Sequence, residues 1–237
     1  MKKLFKLIVF LLLGTISYAK EPLYIGTNAE FVPFEYIENG EIVGFDIELI
    51  KEVGKKIDRN IVIKNIAFDG LLPALQTNKI DAIIAGMTIT KEREKFVDFS
   101  DNYFVANQVI IVPEKDKSTK SLGSLKDKKV GVVLGYTGDL IISKDKEIKK
   151  IQYNSAPTAI MALNSGKIDA VILDSAPAEN YIENNKGLKI VTMDIKDEKY
   201  AIAIKKGQKE LVENINKALN ELKNDGTYNK LINKYFN

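Results

Sequence analysis

A ten-residue pattern occurs twice in this chain, and it constrains the fold more than any other feature. Leu75-Gln-Thr-Asn-Lys-Ile-Asp-Ala-Ile-Ile84 returns as Leu163-Asn-Ser-Gly-Lys-Ile-Asp-Ala-Val-Ile172. Each copy reads as a helix end, a Lys-Ile-Asp-Ala turn and an apolar strand buried on both faces. Ahead of the first copy, residues 23–27 read as a strand and 44–56 as a helix. Residues 60–66 read as a second strand, 69–77 as a helix and 81–85 as a third strand. Strand, helix, strand, helix, strand predicts a parallel sheet with right-handed crossovers.

The pattern then starts again. Residues 103–112 are β-rich and 113–128 form a polar, lysine-rich connection. Strands are expected at 130–134, 148–153, 170–173, 189–193 and 200–204, with helices starting near 137 and 157. Residues 209–236 are helical, divided at Gly226. The repeat therefore implies two similar α/β lobes. In open parallel sheets, ligands bind beyond the carboxyl ends of the strands. Ala85-Gly86-Met87-Thr88 follows one repeated strand and Asp174-Ser175 the other, so facing lobes would bring them to one cleft.

Composition narrows the chemistry. Among 237 residues there is no cysteine and no histidine. Disulfides, thiolate or histidine metal sites and a Ser-His pair are therefore excluded, and nothing calls for a cofactor or a metal. The net charge is +3, but Lys2, Lys3 and Lys6 lie in a basic start followed by the apolar run 7–13. Ser17-Tyr18-Ala19 follows as a small-x-small site. Residues 1–19 are expected to be a secretory signal peptide, because the apolar run is too short to span a bilayer. The remaining chain is balanced in charge, which leaves no electrostatic footprint for nucleic acid. A periplasmic protein that acts as a monomer is expected.

Only two arginines, Arg59 and Arg93, stand among 35 basic residues. A planar guanidinium grips a carboxylate in bidentate fashion, which an ammonium does not. Arg93 follows the first strand end; it is either that anchor or a solvated charge in Lys91-Glu-Arg-Glu-Lys95. Arg59 reads as surface. Asp174 ends an apolar strand, where a carboxylate is costly unless paired. It suits either a ligand ammonium or the N-cap of the next helix. Thr137 and Gly138 follow Gly135 at a strand-to-helix turn that exposes N–H groups to an anion. The turn lacks the glycine pattern and lysine of a phosphate loop. Phe31, Phe34, Tyr36 and Phe68 are core residues or walls of an apolar pocket.

Four ordered motifs carry a family resemblance: Phe31-Val-Pro-Phe-Glu35, Gly44-Phe-Asp-Ile-Glu-Leu49, Ala85-Gly-Met-Thr-Ile-Thr-Lys-Glu-Arg93 and Val97-Asp-Phe-Ser100. Together with Gly226-Thr-Tyr-Asn229 they resemble the polar amino-acid-binding proteins of ABC importers, bacterial extracellular solute-binding family 3. The resemblance is strongest to the glutamine-binding branch. It implies the periplasmic binding protein fold, an α/β architecture of two Rossmann-like lobes with a ligand cleft and two hinge strands. Lobe 1 would take residues 20–104 and 202–237, lobe 2 residues 105–201, with hinges near 103–107 and 197–201. It implies that Arg93 grips the α-carboxylate with Thr88, the Gly86 backbone and Thr137, and that Asp174 holds the α-ammonium. Phe31 and Phe68 would stack on the side chain. Asn28, Met87 and Gly138 complete the expected ligand set.

The side-chain pocket departs from the glutamine branch. Asn28 stands where that branch resembles an aspartate, Leu173 where it has a histidine and Val133 where it has a lysine. The implied partners are a free L-amino acid, polar or cationic, and the membrane subunits of an ABC importer. Glu30 would assist a cation or face solvent. Two other readings compete: a dehydratase of an aromatic amino-acid precursor on the same fold, and a sensory protein that presents its ligand to a receptor. The first lacks a cleft histidine for acid–base work; the second expects a span or effector domain that the sequence does not contain.

Overall fold

The computed structural model describes residues 21–237. The expected signal peptide, residues 1–19, lies outside the described residues. In the described residues, no helix is long and apolar enough to cross a membrane.

The first half of the chain runs β1 (Leu23–Thr27), β2 (Glu30–Phe31), β3 (Glu35–Glu38), β4 (Glu41–Val43), α1 (Phe45–Lys56), β5 (Ile61–Asn65), α2 (Phe68–Gln76), β6 (Ala82–Ile83), β7 (Val97–Phe99) and β8 (Phe104–Ala106). The chain continues through β9 (Gln108–Pro113), β10 (Lys129–Val133), α3 (Thr137–Ile142), β11 (Lys149–Tyr153), α4 (Ala156–Asn164), β12 (Ala170–Asp174), α5 (Ser175–Asn184) and β13 (Leu188–Thr192). It closes with β14 (Glu198–Tyr200), β15 (Ala203–Lys205), α6 (Lys209–Asn224) and α7 (Thr227–Phe236).

Two five-stranded sheets form, in the orders β5-β1-β6-β15-β7 and β11-β10-β12-β9-β13. β6 and β12, the strands that carry the repeat, hold the same third place in each. The duplication extends to individual bonds. Asn78 and Gly166 both adopt a left-handed conformation after their helices, at φ 59° and 70°. Lys79 N–H then donates to Ala74 O and Lys167 N–H to Ala162 O. Asp81 Oδ2 accepts from Tyr24 N–H at 2.8 Å, and Asp169 Oδ2 from Lys129 N–H at 2.7 Å, so each aspartate docks the parallel neighbour of its own strand, β1 or β10. Each isoleucine of the turn covers a glycine in that strand. A Cβ at Gly26 would stand 2.4 Å from Ile80 Cδ1, and one at Gly131 2.6 Å from Ile168 Cδ1. Only a residue without a side chain allows this approach. The Lys-Ile-Asp-Ala turn is thus one packing device used twice.

Neither sheet is wholly parallel, which corrects the reading from sequence. β1 pairs in parallel with β5 and β6, and β10 with β11 and β12. β15 and β9 run antiparallel to their neighbours β6 and β12. The cause is connectivity. β9 enters its sheet from the crossover and pairs its first residue, Gln108, with Asp174, the last of β12. A strand that starts where its neighbour ends must run against it.

The β-rich stretch 103–112 is not continuous. It divides at Asn107 into β8 and β9. The strand expected at 200–204 likewise divides into β14 and β15. β8 and β14 form a separate antiparallel pair, with Glu198 opposite Ala106 and Tyr200 opposite Phe104. This ribbon occupies both segments expected to be hinges. The meander β2-β3-β4 was not foreseen; its turn uses Asn39 and Gly40 at φ 50° and 82°, the positive pair that a tight hairpin requires. β7 was also missed. Helices α6 and α7 return to pack on α1, sealing Phe45, Leu49 and Val53 beneath Leu219 and Leu222.

Candidate functional site

The loops after β1, β6, β10 and β12 meet between the sheets. Three hydrogen bonds cross from one to the other. Tyr136 Oη–H donates to Asn28 Oδ1 at 3.1 Å, Thr137 Oγ1–H to Thr88 Oγ1 at 3.1 Å, and Arg93 Nη2–H to the Gly135 carbonyl at 2.9 Å. They surround a small, nearly closed cavity of about 10 Å³ lined by Phe31, Phe68, Ala85, Gly86, Tyr136, Thr137 and Asp174. A larger hollow of about 290 Å³, lined by Arg59, Asn78 and Lys205, opens on the outside of the first sheet. The buried charges gather at the smaller one.

Arg93 is 5% exposed and opens a short 3-10 turn, so it is not a solvated charge. Its Nη1 donates to the Thr88 carbonyl at 2.7 Å and its guanidinium lies 5.3 Å from the Phe68 ring centre. Burial lowers its pKa to about 10, opposed by Glu198 and Asp174. It therefore remains charged at neutral pH. Arg59 instead donates to the Glu21 carbonyl on the outer side of the lobe.

Asp174 occupies the N-cap position of α5 yet makes no side-chain capping bond. Its Oδ1 accepts from the Tyr200 hydroxyl at 2.5 Å. The side chain is 4% exposed, and burial pushes its pKa up to about 7, with the charge of Glu198 adding to the rise. A buried carboxylate so placed is complementary to a cation.

The remaining residues fall into place around these two. Phe31 and Phe68 both contact Tyr136 edge-on, with centroids at 5.6 and 4.6 Å. Gly86 has φ +53°, and a Cβ there would stand 2.6 Å from Phe31 Cε1. Its N–H is engaged by Asp46 Oδ2 at 2.9 Å. The Met87 side chain is fully buried with Leu71 and Ile83 in the core, which leaves only its backbone near the cavity. Gly138 permits α3 to press on β12, since a Cβ there would stand 2.9 Å from Ile172 Cγ2. Val133 and Leu173 are buried apolar residues.

Four polar residues of the site were not singled out from the sequence: Gln108, Tyr136, Glu198 and Tyr200. Thr88 Oγ1–H donates to Glu198 Oε2 at 2.8 Å, and Gln108 Nε2–H to the same oxygen at 3.2 Å. β14 alternates buried, exposed, buried, so Glu198 and Tyr200 share one face and Lys199 takes the other. An acid and a tyrosine two apart in a crossing strand were the available signal.

The family model for bacterial extracellular solute-binding proteins, family 3, matches residues 23–237. A probable histidine-binding protein of Neisseria gonorrhoeae is 39% identical over 90% of this chain and 82% of its own length. ABC transporter arginine-binding protein 1 of Escherichia coli K12 is 36% identical over 98% of both chains. The solved structure of an ancestral arginine-binding protein bound to arginine superposes with a TM-score of 0.89. It is 47% identical and covers 93% of this chain and 100% of its own.

Proposed function

The chain belongs to the bacterial extracellular solute-binding proteins, family 3, and on that premise we propose that its cleft captures a free L-amino acid with a cationic side chain and delivers it to an ABC importer. Members of this family are binding proteins. The finer reading places the chain in the periplasm after loss of residues 1–19. Residues 20–104 with 202–237 form one lobe and 105–201 the other.

One observation carries the choice of ligand. Two carboxylates, Asp174 and Glu198, are buried around a single arginine, Arg93. Uncompensated buried charge is costly. With Asp174 and Glu198 both ionised around Arg93, a zwitterion places its carboxylate on Arg93 and its ammonium on Asp174, and leaves one negative charge over. An amino acid with a net positive charge neutralises the cleft. Glu30 is exposed, and its charge adds a smaller part to the rise that burial causes in the phenols of Tyr136 and Tyr181. It offers a further anchor for the distal cation. Phe31, Phe68 and Tyr136 supply walls for the aliphatic stem. The relatives named for arginine and histidine agree with this choice.

The mechanism is lobe closure. Ligand shifts an open–closed equilibrium by its differential affinity for the closed arrangement, in which the 88, 93, 135 and 137 positions already meet across the cleft. Calorimetry on protein stripped of ligand by unfolding and refolding tests the reading. Arginine or lysine should bind at least about tenfold tighter than glutamine, about 1.4 kcal/mol. Equal affinity for glutamine would overturn the charge argument; no binding of any amino acid would overturn amino-acid capture itself.

A further inference from the structure

We propose that Glu198 is a positioning residue for ligand capture: it draws the Thr88 proton to itself, so that Thr88 can only accept a hydrogen bond from the ligand's ammonium, and it ties that loop to the opposite sheet through Gln108. The inference rests on the amino-acid reading of the cleft and concerns a residue outside the expected ligand set.

The first support is backbone geometry. The loop after β6 is stitched to the crossover strand β14. Ile89 N–H donates to the Lys199 carbonyl at 2.9 Å, and Ala201 N–H to the Met87 carbonyl at 3.1 Å. Thr88 therefore faces β14 as a bridge partner of Tyr200. A strand of period two then brings Glu198 beneath the Thr88 hydroxyl and Tyr200 beneath Asp174.

The second support is hydrogen-bond inventory. A hydroxyl has one proton and two lone pairs. Thr88 gives its proton to Glu198 and accepts from Thr137. One lone pair remains, and it suits a donor, so the hydroxyl serves the ligand's ammonium rather than the α-carboxylate that the family resemblance implied for Thr88. Without the carboxylate, the same hydroxyl would be free to turn and donate to the ligand's carboxylate instead. A carboxylate at 198 thus gives the loop a direction that shape alone would not. Its Oε2 also accepts from Gln108, whose strand β9 belongs to the second sheet. Opening the lobes would have to break this joint or carry Glu198 along.

The charged groups facing Glu198 are Arg93 from the first lobe and Asp174 from the end of β12, with the hydroxyls of Thr137 and Tyr200 beside them. Asp174 in turn faces Glu35 from β3 and Tyr136 from the turn before α3. Glu198 contributes to the raised pKa of Asp174. Its neutral replacement should therefore let Asp174 ionise at lower pH.

The experiment is arginine titration by calorimetry across about pH 5 to 8, on the full mature chain and its variants. Glu198→Gln keeps the shape but can donate to Thr88. It should weaken arginine binding about 10- to 100-fold, in line with a hydrogen bond to a charged group. The pH of half-maximal affinity should move down. Thr88→Val should weaken binding similarly, and the E198Q/T88V double variant should lose no more than T88V alone, because both act on one bond. Should E198Q fail to fold, Glu198→Asp keeps the charge but withdraws from Thr88, and it should lose affinity without the downward pH shift. Wild-type affinity in E198Q within about threefold, or losses that simply add, would overturn the proposal. If wild-type protein bound no amino acid, the reading of the cleft would fall first.

Discussion

Tyr200 donates its hydroxyl proton to Asp174 at 2.5 Å, joining a crossover strand to the carboxylate at the end of the second lobe's central strand. One oxygen of Asp174 is thereby held, and the Gln108 side chain and a backbone N–H also act on the carboxylate that would face a ligand ammonium. Tyr200→Phe removes the bond without removing the ring, which packs against Phe34 and Phe104. Arginine affinity is expected to fall about tenfold. Asp174→Asn, which removes the charge, should cost about 100-fold. Calorimetry on both variants checks the order; a larger loss from Y200F than from D174N would contradict the assignment.

The pH dependence has a definite sign. Asp174 is raised to about 7 and Asp46 to about 6, in both cases first by burial. Unfolded aspartates titrate near 3.9. Between about pH 4 and pH 7 these two carboxyls bind more protons in the folded, ligand-free protein than in the unfolded chain, so their contribution to stability falls as pH rises through that window. Ligand reverses the Asp174 part, because an ammonium favours the ionised form. The increase in Tm caused by arginine should therefore be larger at about pH 8 than at about pH 5. D174N should flatten that difference. A Tm gain independent of pH in the wild type would be incompatible with Asp174 as the ammonium partner.

Arg93→Ala should remove most affinity, by at least about 100-fold, since Asp174 alone does not fix a carboxylate. Arg93→Lys should recover little of it. Lysine keeps the charge but does not reach both the Thr88 and Gly135 carbonyls while facing a ligand. Survival of binding in R93A within about threefold would show that the carboxylate is held elsewhere.

Much of this was legible in the sequence because the repeat is local. Helix end, left-handed residue, isoleucine, aspartate and strand follow one another without a break, so a short window encodes the whole device. Arg93 and Asp174 were legible as candidates for a related reason: Asp174 closes β12, and Arg93 lies in the segment that follows β6. Their surroundings were not. Whether Arg93 is solvated depends on Gly135 and Phe68, and whether Asp174 caps α5 depends on Tyr200, all set by tertiary contacts distant in sequence. The antiparallel strands escaped for a related reason, since direction follows from where the chain crosses between sheets rather than from strand composition. Glu198 was hidden by its neighbours: in Lys196-Asp-Glu-Lys199 it reads as one more surface charge, and only the face of β14 distinguishes it.

Gly86 gives the strictest test of the loop that bears Thr88. Its φ of +53° is unfavourable for any residue with a side chain, and a Cβ would meet Phe31 at 2.6 Å and Tyr200 at 3.3 Å. Gly86→Ala combines left-handed strain of about 1 kcal/mol with overpacking of about 1–3 kcal/mol. For a domain of this size that lowers Tm by roughly 4–16 °C. The same shift should disturb the Gly86 N–H bond to Asp46 and push Phe31 into the cavity, so arginine affinity should fall as well. Gly40→Ala provides the contrast: that glycine also has positive φ, at 82°, but nothing lies within 4 Å of its Cβ position. It should lose about 1 kcal/mol of stability and no affinity. If G86A and G40A behaved alike in both measurements, the close approach of Phe31 to the loop would have no energetic consequence.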